Sequence, residues 1–562
     1  MVIMRKYHLI KDFLIQWWHL ASPFWRSKVR YKAGALLALA MIFNVINIYM
    51  SVRLNTWSKD FFNALEDKNG DEFLYQVGVL FVIATISLGL FANQKFLCSK
   101  AVLIWRQWLS DYYTKRWLSS KYYYQDLFFK RIDNPDQRIA EDLRIFPSLS
   151  ISMLFDFIDS FGSLGAYMVI LWNLSDSYKV FDIYIPGIML WLAIGFVLIG
   201  TWSVHLIGKP LIDLERRTQH CEADYRASLL RIREKAKEIA SYDGEIVENQ
   251  NIQSRFTTVF SVWIKMLLKR RQLNYFHFGY SQISSVVPYL IAAPKYFSGA
   301  FQMGELMQTA NAFNSVRVSL SWFIINYSTL TEWKATVDRL TQFDSILRQK
   351  DTPSPFRREL SADGSLQLEN VQIQLPDGTS LSQGLSMKIN KGEKVALTGL
   401  SGSGKSTLLY VLRDIWPFGS GIIKRPEGKL LFLSQVPYMP AGTIQEILSY
   451  PEEKLCSIED CTSILHIIGL EKLIPDLKTS KNWDKELSPG EQQRLVLGRI
   501  WTQKPDWVFL DESFASIDKE RQSEILNQLL KDFPSMSILS IEHHYNKKEF
   551  YDRIISWKDI NP

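Results

Sequence analysis

Four stretches of the chain contain no Asp, Glu, Lys or Arg over the length that a helix needs to cross a lipid bilayer. They are residues 33–52, 73–94, 183–208 and 272–294. A helix rises 1.5 Å per residue, so each stretch can span the roughly 30 Å of hydrocarbon in a membrane. No comparable stretch follows residue 365, although 47% of the 562 residues are apolar. The sequence therefore predicts a membrane part followed by a soluble part.

Two further apolar segments carry charge within them. Residues 146–174 contain Asp156 and Asp159, and Arg317 lies well inside residues 304–331. A charge at membrane depth is costly unless it faces water or a partner, so we expect these two helices to line a central pathway. For the two aspartates, a position in a helix extension just outside the bilayer is the alternative. Together the segments predict six transmembrane helices.

Lysine and arginine are concentrated in two long connections, residues 94–145 and 209–271, and near the N-terminus. The connections 53–72 and 175–182 are mostly acidic. The positive-inside rule then predicts that the long connections and both termini are cytoplasmic. The start of the chain mixes charged and aromatic residues, which favours an interfacial helix over a cleavable signal.

The long connections have the composition of helical extensions, with predicted breaks near residues 129–135 and 241–244. Such extensions suit mechanical contact with a soluble domain, and a solvated stalk without that role is the alternative. These patterns divide the chain into an interfacial helix (1–30), a transmembrane domain (31–345), a polar, proline-broken linker (346–365) and a nucleotide-binding domain (366–562).

The four cysteines, Cys98, Cys221, Cys456 and Cys461, fall in predicted cytoplasmic regions or at their edge. Disulfides are therefore not expected. The net charge of +7 resides in the cytoplasmic connections, where topology accounts for it. No nucleic-acid partner is expected.

A complete phosphate-binding loop follows an apolar, strand-like segment that ends at Thr398. Its glycines allow backbone N–H groups to surround phosphates, Lys405 can reach the β- and γ-phosphates, and the Ser406 hydroxyl can ligate Mg²⁺. The sequence therefore predicts that the C-terminal third binds ATP with Mg²⁺. The candidate binding residues are Gly399, Leu400, Ser401, Gly402, Ser403, Gly404, Lys405, Ser406 and Thr407.

Two later segments also contain residues suited to binding and hydrolysing a nucleoside triphosphate. The apolar segment 507–510 ends in Asp511, which is placed to hold Mg²⁺, and Glu512 follows it, suited to polarise an attacking water. Ser488 and Gly490 stand at the start of a predicted helix, where small residues favour anion binding.

In their order along the chain, these motifs resemble the ABC-type ATPases. The resemblance rests on the phosphate loop, the segment 487–490 and the Asp511–Glu512 pair, together with three single residues, Gln435, Asp518 and His543. It implies an α/β P-loop domain whose Ser488–Gly490 signature completes the ATP site of a second subunit.

The resemblance also assigns roles. Glu512 would be the general base, His543 would hold the γ-phosphate, and Asp518 would link the two sites across the dimer. Gln435 would sense the γ-phosphate, join Ser406 and Asp511 at the metal, and contact the membrane domain.

Two features depart from the family pattern. Pro489 and Glu491 replace the usual glycine and glutamine of the signature. No aromatic residue stands at 373–375, where many relatives stack one on adenine, so apolar contact near Leu375 is expected to hold the base.

The membrane half contains a second set of motifs, at 54–65, 105–109, 133–142, 233–240, 292–297 and 321–323. Together they resemble the SbmA/BacA-type transporters with a fused ATPase, a bacterial group that includes YddA and is related to the peroxisomal fatty-acyl transporters. The similarity implies a homodimer in the bacterial inner membrane, with an exporter-like fold of six helices per subunit. It also implies uptake of hydrophilic compounds such as cobalamin and peptides, a direction that comes from the family alone.

Several function classes remain open on this basis. An ATP-driven importer is favoured, and an exporter of fatty-acyl or lipid substrates is an alternative. A membrane-bound ATPase sensor without transport is another. The uncharged runs argue against a soluble ABC ATPase that acts on nucleic acid or ribosomes.

Overall fold

The computed structural model describes residues 2–119, 123–124, 128, 134–175, 179–180, 183–184, 186–348, 355–542 and 550–561. The chain forms two compact units. The first comprises Met1–Ser119 and Ile132–Arg348, and the second comprises Ser120–Arg131 and Gln349–Pro562. A short stretch between two helices of the first unit is thus grouped with the second.

The first unit is built from helices and one small hairpin. The apolar runs of the sequence lie inside long helices, which satisfy their backbone groups internally. The elements are α1 Val2–Arg26, α2 Arg30–Glu66, α3 Gly70–Ser119, α4 Pro135–Gln137, a π-helical turn Arg138–Asp142, α5 Leu143–Leu174, β1 Lys179–Val180, β2 Ile183–Tyr184, α6 Ile188–Glu234, α7 Ala236–Ser241, α8 Glu245–Phe297, α9 Met303–Leu320, α10 Trp322–Ile325 and α11 Tyr327–Arg348.

Within the described residues, four helical segments are long and apolar enough to cross a membrane: Arg30–Glu66, Gly70–Ser119, Pro135–Leu174 and Ile188–Glu234. The fifth and sixth predicted spans lie in α8 and in α9 to α11, which do not meet that criterion. The predicted number of six spans is therefore not confirmed. The span predicted to begin at residue 183 starts later, because Ile183–Tyr184 pairs with β1 and the helix begins at Ile188.

Helix α9 nevertheless packs among the apolar helices. Three of its side chains, Ala312, Phe313 and Val316, are fully buried. They belong to a cluster with Leu171 of α5 and Met189 of α6. This apolar face places α9 between its neighbours, while polar residues occupy its other side.

The long helical extensions, which the sequence predicts to be cytoplasmic, are interrupted at one predicted position and at one further position. Asp243 has a φ of 51° in the turn between α7 and α8, within the predicted 241–244. A further interruption at Lys235 separates α6 from α7. Of the other predicted break, 129–135, only Asn134 and Pro135 are described; Asn134 is left-handed and α4 begins at Pro135.

Helix α1 packs within the first unit through its aromatic residues. Phe24 is fully buried and stacks on Trp105 with ring centroids 5.4 Å apart. Trp17 donates its indole N–H to the Ser150 hydroxyl at 2.9 Å. These contacts anchor α1 to α3 and α5, and its interfacial position stays a prediction.

A buried carboxylate joins α11 to α3. Asp344 is 1% exposed and accepts hydrogen bonds from Arg116 Nη1 at 2.9 Å and from Tyr113 Oη at 3.2 Å. Arg348, one turn along α11, donates to its second oxygen. Two guanidiniums and a phenol thus compensate one buried negative charge.

The second unit holds two sheets. A five-stranded sheet has the order β11–β6–β10–β9–β8 and is parallel throughout, and a four-stranded sheet has the order β3–β7–β4–β5. The elements are β3 Phe356–Leu360, β4 Leu366–Ile373, β5 Leu385–Ile389, β6 Lys394–Thr398, α12 Lys405–Arg413, β7 Gly419–Arg425, β8 Leu430–Leu433, α13 Ile444–Ser449, α14 Ile458–Ile467, a 3₁₀ turn Glu471–Asp476, α15 Trp483–Glu486, α16 Pro489–Leu497, α17 Arg499–Gln503, β9 Trp507–Asp511, α18 Lys519–Asp532, β10 Ser537–Glu542, β11 Arg553–Ser556 and α19 Trp557–Ile560.

Two strands of this unit differ from the sequence pattern. In strand β4 the apolar residues alternate with polar ones until a bulge at Asn370, where φ is 49°, and the alternation then continues from Val371. The extra residue shifts the phase, so apolar side chains on both sides of it still point inward. Strand β3 lies inside the predicted linker and pairs in parallel with β7.

The expectation that disulfides are absent is wrong at one pair, because Cys456 and Cys461 are joined by a disulfide. The chain turns into α14 between them and brings their Cα atoms to 6.4 Å, within the range that a disulfide spans. The expectation rested on the predicted cytoplasmic location of the cysteines, and it did not consider how close the chain brings them to each other. Cys98 and Cys221 are free thiols.

Candidate nucleotide-binding site

The phosphate-binding loop connects β6 to α12, as the sequence predicts. Gly404 has a φ of 102°, in the left-handed region, and a Cβ there would lie 3.4 Å from both Leu381 and Trp557. Glycine is the residue that adopts this conformation without strain. The first backbone N–H groups of α12 are thereby directed into the loop, where a phosphate can accept them.

Lys405 lies across this loop and is 5% exposed. Its Nζ donates to the carbonyl oxygens of Gly399 at 2.9 Å and Leu400 at 2.7 Å. Burial lowers the pKa of its ammonium, and the nearby carboxylates of Glu512 and Asp511 partly oppose that shift. The cation is therefore held at the loop by carbonyl oxygens and faces two acids.

The parallel sheet brings Asp511 to the same edge as the loop. Strands β6, β10 and β9 are neighbours, so their carboxyl ends meet at one edge. Asp511 is 3% exposed and its Oδ1 accepts a hydrogen bond of 2.9 Å from Ser406 Oγ. The predicted metal ligands Ser406 and Asp511 are thus adjacent.

The oxygens of this pair fit Mg²⁺. The ion prefers octahedral oxygen ligands at about 2.0–2.1 Å, and ligands at adjacent corners then lie about 2.9 Å apart. The protein would supply few ligands, leaving positions for phosphate and water. Within the described ranges, no group of three or more His, Cys, Asp or Glu that could hold a metal occurs.

Glu512 follows Asp511 in a left-handed conformation, with φ of 48°. Its Oε2 accepts a hydrogen bond of 2.8 Å from Gln435 Nε2. The structure therefore joins the two residues to which the sequence assigned hydrolysis and γ-phosphate sensing. Glu512 directly follows Asp511, one of the predicted metal ligands, at the end of β9.

The signature segment begins α16, and both departures from the usual pattern have local reasons. Ser488 is the N-cap, Pro489 takes the first helical position, where proline is favoured, and Glu491 completes a capping box. Glu491 Oε2 accepts from the Ser488 backbone N–H at 2.8 Å. The ion pair with Lys472 and these capping bonds lower the pKa of Glu491 to about 2.

Gly490 is required by packing at the same helix start. A Cβ at this position would lie 2.5 Å from the carbonyl oxygen of Ser516. Any side chain would push the helix away from the segment that follows Glu512. Gly490 thus keeps the helix end close to that segment, besides leaving its N–H open to an anion.

Gln493 is a residue that sequence reasoning missed. It is 5% exposed, its Oε1 accepts from the Ser516 backbone N–H at 2.9 Å, and its Nε2 donates to the Gln435 carbonyl at 3.4 Å. It connects the signature helix with two loops that carry predicted site residues. The only sequence signal was its position on the buried side of α16.

Replacing Gln493 with leucine is expected to lower steady-state ATP hydrolysis about tenfold without unfolding the domain. The substitution keeps the volume and removes both hydrogen bonds, each worth about 0.5–1.5 kcal/mol. The measurement is ATPase turnover of the purified protein, with thermal unfolding as the check on folding. Gln528→Leu, at a half-buried site on α18, is the control and should retain normal turnover; equal turnover in both variants would remove this role from Gln493.

The remaining predicted residues have simpler surroundings. Asp518 caps α18, its Oδ1 accepting from the Arg521 backbone N–H at 2.9 Å. His543 lies outside the described residues, which end after β10 at Glu542 and resume at Phe550. Leu375, at the expected adenine position, is partly buried in a turn.

One aromatic contact lies within the second unit but comes from the chain between α3 and α4. Phe128 packs edge-on against Trp416 with ring centroids 4.9 Å apart and lies 5.9 Å from Phe418. Burial raises the pKa of the neighbouring Tyr124 to about 12. Trp416 in turn donates its N–H to the Gln374 carbonyl at 2.9 Å, next to the expected adenine position.

The charged residues of the predicted spans have different partners. Asp156 lies 4.0 Å from Lys95 Nζ, at the end of the 73–94 run. Arg317 donates to the Asn314 side chain at 2.7 Å. Whether these residues line a pathway stays a prediction.

Two protein families match the chain. Residues 22–297 match the family described as ABC transporter transmembrane region 2, and residues 382–515 match the ABC transporter family of ATPase domains. The predicted order of a membrane domain and an ABC ATPase domain is confirmed.

Individual proteins resemble the chain over nearly its whole length. The inner membrane ABC transporter ATP-binding protein YddA of Escherichia coli K12 is 33% identical over 93% of this chain and 94% of its own. The human lysosomal cobalamin transporter ABCD4 is 25% identical over 95% of this chain and 92% of its own. A solved bacterial Atm1-family ABC exporter with ATP bound shares the fold, with a TM-score of 0.72 at 15% identity over 93% of each chain.

Proposed function

The chain belongs to the ABC transporters that fuse a membrane region to an ATPase domain, and from this membership we propose that it works as a homodimer importing hydrophilic solutes. It is a multi-pass membrane protein that hydrolyses ATP with Mg²⁺ and couples the hydrolysis to transport. Each chain carries one phosphate-binding loop and one signature segment. ABC half-transporters of this kind generally dimerise. Pairing two identical chains would supply both halves of each ATP site.

The observation that carries the ATP-site proposal is the cluster of Ser406, Asp511, Glu512 and Gln435, linked by hydrogen bonds of 2.9 and 2.8 Å. Ser406, Asp511 and Gln435 would hold Mg²⁺, which when bound neutralises charge that develops on the phosphates. Glu512 would take a proton from the attacking water. Lys405 and the loop N–H groups would orient the phosphates, and Ser488 and Gly490 would approach them from the partner subunit.

Motion would pass from the ATPase domain to the membrane helices through the stretch that contains Phe128. Its ring packs on Trp416 and Phe418 of the second unit, and the chain on either side of it runs to α3 and α4. When hydrolysis parts the ATPase domains, this stretch would move with them. The breaks at Asn134 and Asp243 would let the helix extensions follow.

The proposed solute class and the proposed membrane location are supported by the relatives and by the composition of the predicted spans. YddA is described as an inner membrane protein and ABCD4 as a cobalamin transporter. The predicted pathway residues Asp156, Asp159 and Arg317 are ionic, which suits polar solutes better than acyl chains. We place the ATPase domain and both termini on the cytoplasmic side of a bacterial inner membrane.

ATP-dependent uptake of cobalamin or a labelled peptide into proteoliposomes tests the function. Lys405→Ala is expected to reduce uptake at least a hundredfold, because the ammonium that orients the phosphates is gone. Lys531→Ala, at an exposed site on α18, is the control and should transport like the unmodified protein. Absent uptake with intact ATPase activity would favour a sensor, and uptake of acyl chains alone would favour the lipid alternative.

A further inference from the structure

Arg317 lies in the middle of the helical bundle. Val316, the residue before it, is fully buried in the cluster shared by α5, α6, α8 and α9. Its guanidinium is within electrostatic reach of Tyr280 of α8, whose hydroxyl donates to the Phe196 carbonyl of α6 at 2.8 Å. Both Tyr280 and Phe196 fall within the uncharged runs 272–294 and 183–208. Arg317 itself lies inside the predicted span 304–331.

The partner of this arginine is neutral. Its Nη2 donates to Asn314 Oδ1 at 2.7 Å, and within the described part of the chain no carboxylate oxygen lies within 4.0 Å of its guanidinium nitrogens. Asp156, in the other predicted span that carries charge, differs because Lys95 Nζ lies 4.0 Å from its carboxylate. Arg317 carries a positive charge that the fold orients without neutralising.

The side chains beside Arg317 form a row on the face of α9 opposite its apolar core. Asn311, Asn314 and Val318 follow one another at helical spacing and are exposed. Such spacing puts them on one face of the helix. Two amides and a guanidinium at this depth make a polar surface that can accept a hydrated group.

We propose that Arg317, oriented by Asn314, binds an anionic oxygen group, a carboxylate or phosphate, of the transported solute. This inference rests on the proposed transport function and names the chemistry of its substrate. A guanidinium can donate paired N–H bonds to two oxygens of such a group, and a charge inside a predicted span without a carboxylate beside it gains most from a bound anion. Recognition would therefore involve a negatively charged group of the solute.

Thiol labelling tests this site without ATP or transport. Val318→Cys is introduced into a protein that also carries Cys98→Ala and Cys221→Ser, in phosphatidylcholine nanodiscs. The rate of modification by an anionic sulfonate methanethiosulfonate is divided by the rate for its cationic trimethylammonium counterpart. Arg317→Gln is expected to lower this ratio about tenfold, because one unit charge near the thiol is removed.

Controls separate charge from structure. Arg317→Lys should keep most of the ratio, and Lys334→Gln, at an exposed ion pair with Asp338, should not change it. High salt should reduce the ratio in the Arg317 protein, which provides a readout even where Arg317→Gln fails to fold. A thiol that does not react, or a ratio unaffected by Arg317→Gln and by salt, would overturn the proposal.

Competition distinguishes a solute anion from a lipid headgroup. Tri-glutamate is expected to slow thiol labelling at least fivefold in the protein that retains Arg317 and to have no effect after Arg317→Gln. Tri-lysine is expected to have no effect in either protein. If phosphatidylglycerol in the nanodisc slows thiol labelling and tri-glutamate does not, the site binds a lipid headgroup, and the proposal that it binds a solute anion is wrong. Labelling that supports the site while proteoliposomes show no uptake would count against the transport function alone.

Discussion

Replacing Glu512 with glutamine is expected to lower steady-state ATP hydrolysis by about 10²–10⁴-fold while leaving ATP binding intact. The amide preserves the size of the side chain but cannot accept a proton from water. The groups that would contact the phosphates, Lys405 and the loop backbone, are unaffected. ATP should therefore stay bound between the two ATPase domains.

The measurement compares phosphate release with the amount of nucleotide that remains bound after gel filtration. Glu520→Gln changes an exposed carboxylate in the first turn of α18 and serves as the matched control, with normal turnover expected. Hydrolysis at the normal rate in the Glu512 variant would show that another group is the base. Loss of nucleotide binding would instead assign Glu512 to holding ATP.

Replacing Asp344 with asparagine is expected to destabilise the first unit by about 2–4 kcal/mol, at or below the roughly 3–5 kcal/mol that removing one partner of a fully buried ion pair costs. Arg116 and Arg348 would face each other without the carboxylate that now accepts from both. Their partial exposure keeps the cost toward the lower end, since water can solvate part of each guanidinium.

Asp338→Asn is the matched control for this prediction. Asp338 lies on the same helix and pairs with Lys334, but both side chains are about half exposed. Exposed pairs contribute about 0–1 kcal/mol, so its loss should barely change thermal unfolding in detergent. Equal shifts of the unfolding temperature in the two variants would mean that Asp344 does not stabilise the packing of α11 against α3.

The parts of the site that could be predicted are those carried by consecutive residues. The loop at 399–406 requires glycines in a fixed order, and Asp511 closes an apolar strand, so local sequence was sufficient for both. The sequence also assigned Ser406 and Asp511 to one metal site; the 2.9 Å hydrogen bond between them is a finding of the structure, in which parallel strands bring their carboxyl ends together.

Other features were not accessible from local patterns. Gln493 connects Gln435 and Ser516 through contacts that span 58 and 23 positions along the chain. The disulfide between Cys456 and Cys461 depends on a turn that composition does not reveal. The bulge at Asn370 changes the phase of β4 within a pattern that otherwise continues to alternate.

The sequence by itself determined that the chain has a membrane part and an ATPase part, since uncharged runs and phosphate-loop glycines are local requirements of a bilayer and of a bound phosphate. Only the tertiary structure decided which side chains compensate one another. It surrounds Asp344 with two arginines yet leaves Arg317 facing a neutral amide. Pairing of charges depends on how distant helices pack, and a single sequence does not specify that packing residue by residue.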